Sequence, residues 1–134
     1  MKKAIGLFAI LVLMALVFTS CGAGGTAYKC TEGSYTETYT FKSDNTWEYS
    51  AKGTEDGTSY DLVIASGTYT GDPKKDGTLT LKCTKIVNLT SFASSTATKI
   101  TNSNFPLESC AEFSYASFNV SNGQFTHGGE TFKK

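Results

Sequence analysis

From Ala27 onward, apolar and polar residues alternate with a period of two over most of the chain. That is the spacing of antiparallel strands with one face in water, not of helices. In SYTETYTF, residues 34–41, Tyr35, Tyr39 and Phe41 fall on one face and Thr36, Thr38 and Thr40 on the other. KSDN, residues 42–45, reads as a turn. In TWEYSAK, Trp47, Tyr49 and Ala51 then alternate with Glu48, Ser50 and Lys52, so the two segments predict a hairpin. After a turn over GTEDGTS, residues 53–59, the segment Tyr60 to Thr70 is a strand with apolar residues on both faces near its middle, which leaves its facing open. GDPKKDG, residues 71–77, is punctuated by Pro73 and the pair Asp76-Gly77, both strong turn formers. It leads into TLTLKCTKI, where Leu79, Leu81 and Cys83 alternate with Thr80, Lys82 and Thr84 to make a second hairpin.

The pattern breaks between Asn88 and Cys110, a Ser/Thr/Asn-rich stretch interrupted by Pro106. It is expected to be a lid, a short helix or an irregular crossover, and segments of this length are often functional. The closing FSYASFNV, SNGQ and FTHGGETFK supply up to three more short strands, with Asn122-Gly123 as a turn. With Ala27 to Thr31 as a first strand, the count reaches about seven or eight, separated by turns at intervals of roughly 8–12 residues. The predicted fold is all-β: a single domain over residues 27–134, an antiparallel up-and-down meander closed as a barrel, with a β-sandwich as the alternative.

A different pattern precedes it. Met1, Lys2 and Lys3 are followed by fifteen apolar residues, Ala4 to Phe18, before Thr19, Ser20 and Cys21 take over. A transmembrane helix needs roughly 20 residues to cross the hydrocarbon core, so residues 1–20 read as a cleaved export signal helix. Ser20 directly before Cys21 resembles the lipobox of bacterial lipoproteins, and Phe18, where that pattern most often has Leu, resembles the looser spirochaete form. The resemblance implies acylation of Cys21 and cleavage just before it. The only cofactor expected is therefore the covalent lipid on Cys21, whose acyl chains contribute about 0.8 kcal/mol of membrane affinity per buried methylene. The alternative is an ordinary secretory signal with Cys21 free or paired. Residues 21–26 then form the lipidated end and a small, flexible tether.

Loss of residues 1–20 leaves 114 of 134 residues, enough for one modest core. It also removes two of the twelve lysines, so the mature chain is mildly acidic, with ten lysines against twelve carboxylates. All basic residues are lysine and none is arginine, which deprives the chain of the fork-shaped donor suited to guanine and phosphate. Nucleic acid is excluded as an expected partner. Export implies an oxidising compartment, where Cys30, Cys83 and Cys110 allow one disulfide and one leftover thiol. Cys83 with Cys110 is the favoured pair, because the bond would pin a loop-like stretch back to a strand. The other reading keeps all three reduced, with Cys30 and Cys83 buried as small hydrophobes. No CxxC or Cys/His spacing supports zinc, and no metal is expected.

YTFKSDNTWEYS, SGTYTGDPKKDGTLTL and FNVSNGQFT together resemble small lipocalin-like lipoproteins of spirochaetes and related bacteria, over most of the mature chain. The resemblance implies a β-barrel held at a bacterial membrane. From the residues themselves, Tyr39, Phe41, Trp47, Tyr49 and Tyr69 are candidates to line a cavity in the barrel mouth. The competing reading makes them filler, since small barrels have interiors just wide enough for side chains.

Catalytic candidates are few. His127 is the single histidine and has no G-x-S-x-G elbow to accompany it, so it reads as a turn residue beside Gly128 and Gly129. Asp61 with Glu48 would need to meet across strands to act as acid and base, and solvated strand faces explain them better. Asp72 and Asp76 lack EF-hand spacing, and Lys74 and Lys75 would repel a cation. No catalytic residue is assigned. The expected protein is a membrane-anchored, non-enzymatic module of the bacterial cell envelope, at the outer membrane or cell surface, that binds a small apolar molecule in its interior. The alternative is a surface or envelope interaction protein with a filled barrel, meeting a protein partner through the 88–110 segment and the hairpin tips.

Overall fold

A computed structural model describes residues 25–134, with the backbone alone over 111–114. The signal segment, Cys21 and most of the tether lie outside the described residues. The first strand, β1 (Thr26–Glu32), starts at the last residue of the expected tether, and Thr26 is paired with Phe41. β2 (Tyr35–Phe41), β3 (Thr46–Glu55), β4 (Thr58–Thr70) and β5 (Gly77–Val87) follow as antiparallel hairpins. The turn between β3 and β4 is far tighter than the seven residues expected. Glu55 pairs with Thr58 across Asp56-Gly57 alone, and both central residues have positive φ, 47° and 78°. That is the backbone of the two-residue hairpin turn whose twist matches the strands it joins.

The 88–110 segment is more ordered than a loop. It carries a helix, α1 (Leu89–Ser94), capped by the Asn88 side chain, which accepts from the Ser91 amide at 3.0 Å. β6 (Lys99–Thr101) then pairs in parallel with the start of β4, and β7 (Leu107–Val120) begins before Cys110. Asn102 welds the segment on: its side chain accepts from the Val63 amide at 2.8 Å and donates to the Val63 carbonyl at 2.9 Å, replacing a ladder rung. β8 (Gln124–His127) and β9 (Glu130–Lys133) complete nine strands among the described residues, one more than the upper expectation.

The strands form one sheet in the order β7-β5-β4-β3-β2-β1-β9-β8, with β6 beside β4. The ladders do not close into the expected barrel. β7 and β8 end the path and are joined only at the Asn122-Gly123 turn, by the single pair Ser121 and Gln124. Beyond that bridge no ladder joins β7 to β8, and the two strands meet through side chains instead, Phe118 stacking on Phe125 at 4.5 Å. The sheet nevertheless folds over on itself. Tyr39 of β2 lies 5.0 Å from Phe118 of β7 and 5.6 Å from Phe125 of β8, ring centre to ring centre, and inward residues from all nine strands belong to one core cluster.

β4 resolves its own ambiguity by changing phase. Tyr60, Leu62 and Ile64 are buried, and then Ala65, Gly67 and Tyr69, so both faces of the middle carry inward side chains in turn. Against β3 the register shifts after Tyr49 and leaves Ile64 as the extra residue of β4, and against β5 it shifts after Ser66, where Thr84 of β5 is the extra one. Gly67 sits at this shift because nothing larger fits: a Cβ there would lie 1.8 Å from the Lys82 carbonyl oxygen. That oxygen accepts from the Trp47 indole at 3.2 Å.

Candidate functional site

The alternation that builds the sheet also determines what its interior holds. Between β2, β3, β4, β5, β7 and β8 lies a cavity of about 200 Å³. Its wall is aromatic and aliphatic, carried by Tyr39, Trp47, Tyr49, Leu81 and Phe118, with Cys83 among them. Leu89 of α1, 45 % exposed, and His127 contribute to the same lining. The wall thus draws on both end strands of the sheet, where no ladder joins them beyond the Asn122-Gly123 turn.

Three of the five sequence-proposed lining residues, Tyr39, Trp47 and Tyr49, line this cavity. Tyr39 and Tyr49 stack at 4.5 Å, opposite each other in the β2–β3 ladder. Phe41 and Tyr69 are not on its wall. They pack together at 5.1 Å beside Tyr28, and the Tyr69 hydroxyl donates to the Lys42 carbonyl at 2.7 Å. His127, expected in a turn, instead ends β8 with its ring 4.8 Å from Phe118 and 6.3 Å from Tyr39.

The structure does not bring the proposed acid–base pair together. Asp61 faces Lys52 across the ladder, while Glu48 faces Ser66 and receives the Lys42 ammonium at 2.7 Å. Asp72 and Asp76 serve their own turn and a neighbouring one, accepting from the amides of Lys74 and Asn122. Among the described residues no group of three or more His, Cys, Asp and Glu is placed to hold a metal. Among the same residues no helix is long and apolar enough to cross a membrane.

Among the described residues the buried carboxylates are Glu37 and Glu130, which sequence reasoning missed. The signal was present: Glu37 shares its strand face with Tyr35, Tyr39 and Phe41, and Glu130 shares one with Phe132. The Tyr35 hydroxyl donates to Glu37 Oε1 at 3.0 Å, and Oε2 is buried without a hydrogen-bond partner among the described residues. Desolvation pushes the Glu37 carboxyl up to about 7; the Tyr49 hydroxyl opposes that shift and the nearby Glu130 carboxyl adds to it. Burial, reinforced by Glu37, holds the Tyr35, Tyr39 and Tyr49 phenols well above their usual range. These hydroxyls therefore remain protonated donors around the carboxyl.

The third pair is sulfur. Cys83 Sγ lies 3.4 Å from Cys110 Sγ, with no bond between them. Cys30, the remaining described cysteine, is opposite Glu37 in the β1–β2 ladder. Burial first, then Glu130, Glu37 and Glu32, push its thiol up to about 11.

No protein-family model matches the chain, and neither a curated protein nor a solved structure matches it significantly.

Proposed function

We propose that the mature chain is a lipid-anchored, non-enzymatic binding module of a bacterial envelope, at the outer membrane or cell surface, that takes a small apolar molecule into its interior. Lipidation at Cys21 and export through residues 1–20 rest on the sequence pattern. The folded part is read as a lipocalin-like barrel whose β7–β8 seam stays unladdered. The observation that carries the binding reading is the cavity of about 200 Å³ walled by Tyr39, Trp47, Tyr49, Leu81 and Phe118. An apolar cavity of roughly 150 Å³ stays dry and accepts benzene, so this one suits a single or fused small ring more than a long acyl chain.

Titration with indole, followed by the Trp47 indole proton in NMR, tests the reading. Saturable shifts at Trp47 and His127 are expected, and Ala116→Phe, which fills the cavity from β7, should remove them. No shift up to the solubility of indole or toluene would overturn it.

A second reading has one observation in its favour: the cavity is smaller than the roughly 300 Å³ at which ligand pockets usually begin. The interior would then be filler, and the working surface would be the 88–110 segment, where Leu89 of α1 is exposed, together with the hairpin tips. Lipidation is tested separately by Cys21→Ala. Loss of acyl mass and of membrane fractionation is expected, and unchanged fractionation would sink the anchor.

A further inference from the structure

Cys83 and Cys110 belong to strands whose register breaks between them. In the β5–β7 ladder Cys83 pairs with Ser114 and Lys85 with Ser109, so residues 110–113 of β7 bow out against Thr84 alone. The bow places the Cys110 sulfur 3.4 Å from that of Cys83, well inside the separation that side-chain rotation can close to a bond of about 2.05 Å. Cys83 is buried in the cavity wall and Cys110 is half-buried, so a small oxidant meets Cys110 first.

We propose that Cys83 and Cys110 are a disulfide-forming pair, and that their bond fastens the segment bearing α1 over the cavity. The ring it closes runs from 83 to 110 and contains Leu89, part of the cavity lining, as well as Phe92 and β6. Without the bond, α1 is tied to the sheet through Phe92 packing on Tyr60 and Phe105 and through the Asn102 bridge to Val63.

The chemistry needs a disulfide as oxidant, either a low-molecular-weight disulfide or a thiol-oxidising protein. The Cys110 thiol loses its proton, and its thiolate attacks the oxidant, releasing one reduced thiol and forming a mixed disulfide. The Cys83 thiolate then displaces the second reduced thiol, so two protein thiols are oxidised and one disulfide is reduced to two thiols. Cys30 stays outside this exchange. It sits on β1, four ladders from β5 along the sheet, and burial first, with the surrounding carboxylates adding to it, disfavours the thiolate that would be needed. The inference stands on the sulfur geometry and does not depend on ligand binding.

The test uses the full chain in detergent micelles, reduced and then incubated with oxidised glutathione, quenched in acid, alkylated and mapped by peptide mass spectrometry. A cross-linked peptide joining Cys83 to Cys110 is expected as the main product, reversed by dithiothreitol and retained in Cys30→Ser. Amide exchange over Leu89–Ser94 should slow in the bridged form. Separate alkylation of Cys83 and Cys110, or a main product containing Cys30, would overturn the pair. Unchanged exchange over Leu89–Ser94 in the bridged protein would overturn the fastening. The cross-link map and the exchange rates are both read on the unsubstituted chain, so they decide the outcome even if Cys30→Ser fails to fold.

Discussion

Two stretches of the same interior, four residues apart along β2, are filled in opposite ways. Around Phe41 the core is solid. Tyr28, Phe41 and Tyr69 pack edge to face, and the polar tips that remain are spent on backbone, Tyr28 donating to the Pro73 carbonyl and Tyr69 to that of Lys42. Around Glu37 the interior holds a carboxyl with one oxygen unpartnered, a second buried carboxylate and, beyond the Tyr39–Tyr49 stack, a cavity. The first arrangement maximises burial with every tip satisfied, and the second carries unsatisfied polarity and empty volume, both of which cost stability. Departures of that kind concentrate where a protein does something other than fold.

The sharpest way to break the contrast is to hollow the solid part. Phe41→Ala removes a ring that is 1 % exposed and should cost about 3–5 kcal/mol in urea unfolding, with collapse of the tertiary signal under mild conditions. A loss below about 1 kcal/mol would mean the two stretches are equally loose.

Next comes the bond over the cavity. With a ring running from 83 to 110, the bridged form should be about 3–4 kcal/mol more stable than the reduced one, measured with and without dithiothreitol.

The carboxyl stretch should show itself through pH. Glu37 is held up to about 7, so between its unfolded value near 4.3 and about 7 the folded protein keeps a proton that the unfolded chain has released. Stability is then full below that window and falls as pH rises through it, by on the order of 1–3 kcal/mol in total. Glu130, Cys30, Tyr35, Tyr39 and Tyr49 surround the group, and the thiol and the three phenols, all held above their usual range, stay neutral throughout the window. Glu37→Gln should flatten the profile. A wild-type profile that rises between pH 5 and 8 would contradict the burial argument.

Smallest is Tyr69→Phe, which leaves the Lys42 carbonyl without its hydroxyl donor and should cost about 1 kcal/mol, independent of pH between 5 and 8.

Much of the fold was legible in the chain. The turns at KSDN, GDPKKDG and Asn122-Gly123, and the inward faces of β2, β3 and β5, follow from parity and turn chemistry, which are properties of neighbouring residues. The same parity held Glu37 in plain view, but a carboxylate is expected outside, and that prior overrode the position. The β6 strand was hidden because its ladder is made by three residues whose partner lies some forty positions back in β4.

By itself, then, the sequence determined an all-β chain with an alternating inner face rich in aromatic residues, and where it turns. Only the tertiary structure decided the phase change in β4, the open seam between β7 and β8, the meeting of Glu37 with Glu130, the approach of Cys83 to Cys110 and the existence of a cavity. Each of these depends on register summed over several strands and on bulges that shift it. A single inserted residue reverses every side chain beyond it, so what is local reads directly from the chain, and what depends on accumulated register appears only when the sheet is assembled.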